Sequence, residues 1–302
     1  MRILVAISLL SLVVPSAAQA GPSGDVVISI RQSGAILVPV QVNGYGPFMF
    51  LLDTGASHTV IDSDMVERLG LPIVAKALVS TTAGPETRPV VQVEVASIGS
   101  ASVDGLQPSV VPLRQLREVE SGIVGLIGQD FLSRFNYTVD YRRHRLRWTV
   151  HDSDGDVRLP LVRAEGRSLV QLSSGSRDSP VWMVPDSGAE ALVVFERGGR
   201  TGVEIEWTDW PVGASAVAMT RTGRLAVLRQ LKVGPVTLRD QPAVVLSGAG
   251  SKATEGDGLM PLHFFSSVAF NNKEGWMAVT PLPGPGPKWK VPDMLMQRRT
   301  AR

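Results

Sequence analysis

The sequence predicts an all-β protein with short helices, built as two similar halves related by a pseudo-twofold axis. Three observations predict it. Gly and Pro are plentiful, at 30 and 21 of 302 residues, while long stretches of helical periodicity are scarce. Short apolar runs recur between turn residues, as strands require. The chain also resembles itself at an offset of 133 positions.

The repeat carries the domain reading. At that offset Pro47 falls on Pro180, Asp53 on Asp186, Gly55 on Gly188, Ala56 on Ala189 and Val60 on Val193. Further on, Gly125 falls on Gly258, Leu126 on Leu259, Phe131 on Phe264, Ser133 on Ser266 and Tyr137 on Phe270. The matches gather at turn residues and at Asp, which chance does not favour. One half is expected over residues 25–150 and the other over 157–280. Between them lies HDSDGD (151–156), with acidic residues at every second position. The remaining ligands of a calcium loop are missing, since Val157 stands in place of Gly and Arg163 in place of Glu, so the segment reads as a linker. Residues 281–302 form a Pro/Gly-rich tail with a basic end.

In the first half, alternation predicts a strand over 36–42, a turn at Asn43-Gly44 and a returning strand over 48–52. The Asp53-Thr54-Gly55 loop follows, then a strand at 59–61. A short helix over 65–69 is capped by the acidic run from Asp62 and stopped by Gly70. Strands near 90–95 and 109–111, a helical turn at 129–135 and a hairpin over 137–150 complete the half. The second half repeats this plan through Val170, Leu172 and a strand at 181–184 that leads into Asp186-Ser187-Gly188.

Residues 1–20 read as an export signal. Arg2 is followed by a mostly apolar run over 3–14 and by Ala18-Gln19-Ala20, a small-x-small cleavage pattern. The run is short of the ~20 residues that span a bilayer; an uncleaved anchor is the alternative. A bacterial periplasm or the exterior is the expected location, with no stable membrane span after cleavage. There is no cysteine, so neither disulfides nor thiolate chemistry is available. A net charge of +2 gives no electrostatic case for nucleic acid. The four histidines form no HExxH or i,i+4 pair, and no Gly-x-Ser-x-Gly elbow occurs.

An Asp closing an apolar strand is costly unless its charge is used or satisfied. Two such carboxylates, brought together about a twofold axis, cannot both ionise and would share one proton. The ionised one can then take a proton from water while the other donates to a carbonyl. That is hydrolysis with no metal and no cofactor. The Gly two residues after each Asp permits the backbone conformation that turns the chain sharply.

These motifs resemble the retropepsin-like aspartic proteases, in particular exported bacterial members with two fused lobes. The resemblance rests on LLDTGAS (51–57), GLIGQDFL (125–132) and YTVD (137–140) in the first half, and on VPDSGA (184–189) and DGLMPL (257–262) in the second. It implies a bilobal pepsin/retropepsin-like acid protease fold and an endopeptidase whose water is activated by Asp53 and Asp186. Thr54 and Ser187 would lock the two loops. Gly55, Ala56, Gly188 and Ala189 would form the loop backbone beside substrate, and Ser57 and Glu190 would touch the substrate main chain. Two β-hairpin flaps are expected, with Gly84 and Gly223 at their tips. The partner implied is a protein or peptide substrate bound in extended form by a monomer that is its own pseudo-dimer. A catalytically inactive peptide-binding or scaffolding module of the envelope, with the same fold, is the alternative.

The second half departs from the pattern. Pro185 precedes Asp186 where Leu52 precedes Asp53, which predicts an edge strand or one that ends early. Pro261 replaces Gly128. Glu190 puts a further carboxylate near the pair, which predicts a raised proton affinity there.

Overall fold

A computed structural model describes residues 22–81, 84–175, 178–216, 219–247 and 256–283. The proposed export segment and nearly all of the C-terminal tail lie outside these residues.

The first-half hairpin forms because Ile36–Val42 and Tyr45–Leu52 flank two residues that both accept a left-handed backbone, Asn43 at φ 51° and Gly44 at φ 78°. Val42 pairs with Tyr45 directly across the turn. The returning strand starts three residues earlier than the sequence predicts. Ile123–Ile127 then lies between Tyr45–Leu52, to which it is parallel, and Val60–Asp62, to which it is antiparallel. The helix Ser63–Leu69 follows and ends at Gly70 in the left-handed region. Asp62 occupies its N-cap position, but its carboxylate makes no cap bond. It accepts from the Leu113 amide at 3.2 Å and pairs with Arg117 at 2.6 Å instead.

The second lobe has the same pattern in the same register. Gly258–Pro261 runs parallel to Ser179–Asp186 and antiparallel to Leu192–Arg197. In the first lobe Gly125 pairs with Phe50, and in the second Gly258 pairs with Met183, each number higher by 133. A side chain at Gly125 would begin 2.0 Å from the Phe50 ring, and one at Gly258 2.0 Å from the Val193 carbonyl oxygen. Both positions need glycine for space. The lobes differ after the next strand, where Leu192–Arg197 turns back at Gly198-Gly199 and no helix follows.

Pro185 does not end its strand. Ser179–Asp186 runs to the Asp, with Pro185 opposite Met260 on the parallel side. Pairing to Arg167–Ser174 on the other side stops at Met183, so the ladder there has ended before the proline is reached.

One sheet joins the lobes. Its strands run in the order Asp25–Val27, Arg145–Arg147, Tyr137–Asp140, Phe265–Asn271, Trp276–Pro281, Val157–Ala164, so the first three come from one lobe and the last three from the other. At its centre Tyr137 pairs with Phe270, and their rings stack with centroids 4.9 Å apart. The residues that the repeat equates thus meet at the lobe junction. The main hydrophobic core is continuous through it, from Ile36 and Phe50 by way of Val139 and Val268 to Val170 and Met183. Asp154 of the linker clips this sheet, accepting from the His151 amide at 2.8 Å and pairing with Arg147 at 2.9 Å.

Candidate active site

Each candidate aspartate stands at the end of a buried strand that the Ile123–Ile127 or Gly258–Pro261 segment holds from one side. The loops that follow meet across the lobe boundary. Thr54 N donates to Ser187 Oγ at 3.0 Å, and Ser187 N donates to Thr54 Oγ1 at 2.9 Å. Each hydroxyl donates in turn to the backbone just before the opposite aspartate, Thr54 Oγ1 to Pro185 O at 2.8 Å and Ser187 Oγ to Leu52 O at 2.6 Å. Both side chains are buried, so the four bonds stand in for water that neither can reach.

This lock brings Asp53 and Asp186 close together: a side chain on Gly188 would begin 3.1 Å from the Asp53 carboxyl carbon and 3.3 Å from Asp186 Oδ1. Asp53 is half-buried and Asp186 is 7 % exposed. Burial pushes Asp186 up to about 8, and the nearby Asp53 charge pushes the same way. Burial also raises Asp53, but the Ala56 and Gly55 amides and the Arg167 charge oppose it. Those amides donate to Asp53 Oδ1 at 2.9 and 3.0 Å. The Gly188 amide donates to Asp186 Oδ1 at 2.7 Å, and Ala189 adds a second backbone bond. Both carboxyl groups are thus held above the ordinary carboxylate range.

Gly55 and Gly188 both have ordinary backbone angles; neither needs the left-handed freedom expected of them. A side chain on Gly55 would begin 2.5 Å from the Asp186 carboxyl carbon, and one on Gly188 3.1 Å from that of Asp53. Each glycine makes room for the other lobe's aspartate.

The remaining candidates surround the loops. Ser57 bonds its hydroxyl to His58 Nδ1 at 2.9 Å, and its carbonyl accepts from the Asp130 amide. Glu190, its counterpart, is exposed. It is raised by partial burial and by Glu120 of the first lobe, and it is not among the groups that act on the aspartate pair. The hairpin Ile73–Thr81/Gly84–Val91 pairs Thr81 with Gly84 as its last described pair, and residues 82–83 lie outside the described residues. The second hairpin, Ile205–Ala216/Met219–Val233, pairs Ala216 with Met219, and residues 217–218 also lie outside the described residues. Gly223 lies within the strand Met219–Val233 and not at its start. It pairs with Val212 inside the strand and packs against Val244 and Val245, because the hairpin is longer than its first-lobe counterpart.

Sequence reasoning missed a polar relay behind the first loop. Gln129 Nε2 donates to Thr54 O at 2.7 Å, Arg163 donates to Gln129 Oε1 at 2.8 Å, and Arg163 also reaches Asn272. Asn272 Nδ2 donates to Leu132 O at 3.1 Å. The chain passes from one lobe to the other and back. The second lobe has Leu262 at the Gln129 position, so the offset comparison marks Gln129 as asymmetric but names no partner for it.

Residues 38–131 match the family model described as aspartyl protease. The matched segment contains the Asp53 loop and the Gly125–Phe131 region. The crystal structure of a retropepsin-like aspartic protease from Rickettsia conorii is similar at 19 % identity, over 39 % of this chain and 86 % of that one, with a TM-score of 0.29. No curated protein matches the chain.

Proposed function

We propose that this chain is an aspartic endopeptidase in which Asp53 and Asp186 work as one acid–base pair. The observation that carries the reading is the reciprocal Thr54–Ser187 lock, which sets the two aspartate loops face to face with each glycine against the other lobe's carboxyl group. Asp53, with its charge stabilised by two amides, takes a proton from a bound water, whose oxygen attacks the scissile carbonyl carbon. Asp186 passes its proton to the carbonyl oxygen, giving a tetrahedral diol. When the C–N bond breaks, the proton on Asp53 goes to the departing nitrogen. One diol hydroxyl returns its proton to Asp186, and the one-proton pair is restored.

The substrate is a peptide in extended form, laid against the Gly55-Ala56-Ser57 and Gly188-Ala189-Glu190 loops under the two hairpins. One chain supplies both aspartates, so the active unit is a monomer. The apolar segment and small-x-small pattern in residues 1–20 support export to the periplasm or beyond.

The test is cleavage of a peptide library by the chain lacking residues 1–20, from pH 3 to 8. Asp53→Asn and Asp186→Asn should each reduce turnover by about 10²–10⁴-fold, the usual contribution of a positioned acid or base. A pepstatin-like inhibitor should bind the wild type. Full activity in Asp186→Asn removes the paired mechanism. Peptide binding without cleavage at any pH returns the chain to a scaffolding role.

A further inference from the structure

A chain of hydrogen bonds runs from a charge in the second lobe to Asp53. Arg163 donates to Gln129 Oε1 at 2.8 Å, and Gln129 Nε2 donates to Thr54 O at 2.7 Å. That carbonyl belongs to the same peptide group as the Gly55 amide, which donates to Asp53 Oδ1 at 3.0 Å. Every link points the same way, with its donor end toward Asp53. The direction is forced, because a guanidinium can only donate and a carbonyl can only accept, so the Gln129 amide fits between them one way round. Gln129 is 2 % exposed, and Arg163 is steered by Asn272, which itself donates to Leu132 O at 3.1 Å. In such a setting each bond polarises the next, and the positive end is delivered to the last acceptor.

The repeat puts apolar residues at the matching places behind Asp186. Val38 pairs with Phe50 as Val170 pairs with Met183, which sets Ile36 against Ser168. Ile30 pairs with Ile36 and Arg163 with Ser168, so Ile30 stands where the first lobe would need its arginine. Leu262 replaces Gln129 at the offset of 133 and has no donor for the Ser187 carbonyl. Leu262 is buried in the main core and Ile30 packs against it. The direct amide bonds do not favour Asp53. Each carboxyl receives two, and the one from Gly188 to Asp186 is short, at 2.7 Å. The other groups that act on this region are Arg167, on Asp53, and the phenols of Tyr137 and Tyr141, which burial keeps neutral. Asp130 spends its carboxylate on Thr59, at 2.9 Å from the amide and 2.6 Å from the hydroxyl.

Two carboxyl groups related by a twofold axis would hold a shared proton equally. We propose that Arg163 and Gln129 are positioning residues that break this tie: their chain, which ends in the Thr54–Gly55 peptide group, stabilises charge on Asp53 and leaves the proton to Asp186. The water-activating role of Asp53 then depends on a residue of the opposite lobe. That catalytic consequence rests on the protease reading above. The placement of the proton does not, so the two can fail separately.

The experiment titrates the side-chain carboxyl carbons of ¹³C-Asp-labelled protein by NMR, with Asp53→Asn and Asp186→Asn as assignment controls. It compares the wild type with Arg163→Met, Arg163→Lys and Gln129→Leu. Methionine removes the charge but keeps the stem, and leucine is the residue that the second lobe already holds at this place, so both variants should fold. Each should raise the Asp53 midpoint by about half a pH unit, the scale expected when each bond of a chain strengthens the next by roughly 10–30 %. The Asp186 midpoint should move the opposite way. Lysine should keep the wild-type order. With a neutral peptide substrate, the acid limb of the kcat/KM profile should move up with the Asp53 midpoint, whereas a merely structural role would lower stability and leave that limb in place. Midpoints that stay put in both Arg163→Met and Gln129→Leu overturn the assignment, whether or not the protein cleaves peptides. So does a shift in Arg163→Met alone, which would mean a charge acting through space without the chain. So do two midpoints that move in the same direction, which would report a loosened loop.

Discussion

Thr54 and Ser187 bond each other reciprocally across the lobe boundary, amide to hydroxyl in both directions, at 3.0 and 2.9 Å. Each also reaches the carbonyl that precedes the opposite aspartate. The lobes are therefore held together at the place where the carboxyl groups must meet.

Removing one of these hydroxyls should loosen both loops. Thr54→Val keeps the shape but leaves the Ser187 amide without its acceptor in a buried site. A loss of about 1–3 kcal/mol in urea unfolding is expected, with Thr54→Ser near wild type. A Thr54→Val protein as stable as the wild type would mean that water takes over these bonds.

The raised aspartates predict how stability depends on pH. Asp186 holds its proton to about 8 when folded, against 3.8 for the ordinary group. Between those values the folded state binds a proton that the unfolded chain has released. Stability should therefore be greatest at low pH within this window and fall as pH rises through it, by up to about 1.4 kcal/mol per unit. Asp186→Asn should flatten this slope and be more stable than the wild type near pH 7. Chemical denaturation at pH 5, 6, 7 and 8 reads both effects.

Gly125 lies against Phe50, which is buried in the main core. Gly125→Ala should cost about 1–3 kcal/mol by overpacking, and Phe50→Leu should recover part of the loss by yielding space. Additive losses in the double variant would show that the clash is not between these two side chains.

Arg163 connects Gln129 to Asn272 behind the first active loop. Arg163→Ala should leave the Gln129 carbonyl oxygen short of a donor. We expect about 1–3 kcal/mol of destabilisation, with a larger fall in kcat than in peptide affinity as Thr54 loosens. Thermal unfolding and steady-state kinetics on the same preparation separate the two.

The strands and their turns were legible in the sequence where the chemistry is local. Asn43-Gly44 names its own hairpin, and Gly70 its helix end, because few other residues take a left-handed backbone. The reading failed where local rules met a neighbour. Pro185 implies a broken ladder only if a second strand is still pairing there, and pairing has ended by Met183. Gly223 looks like a hairpin tip until the strand length is known. Glu190 looks like a third carboxylate of the aspartate pair until the fold sets it against Glu120 of the first lobe.

By itself the sequence determined that this protein has two related halves, each with a strand that ends in an aspartate followed by a small hydroxyl residue and a glycine. Those are covalent facts, and a repeat preserves them residue by residue. Only the tertiary structure decided that Tyr137 stacks on Phe270 and that Gly55 yields its space to Asp186. Contacts between remote segments depend on how two surfaces dock, and no local pattern of residues encodes the distance across that junction.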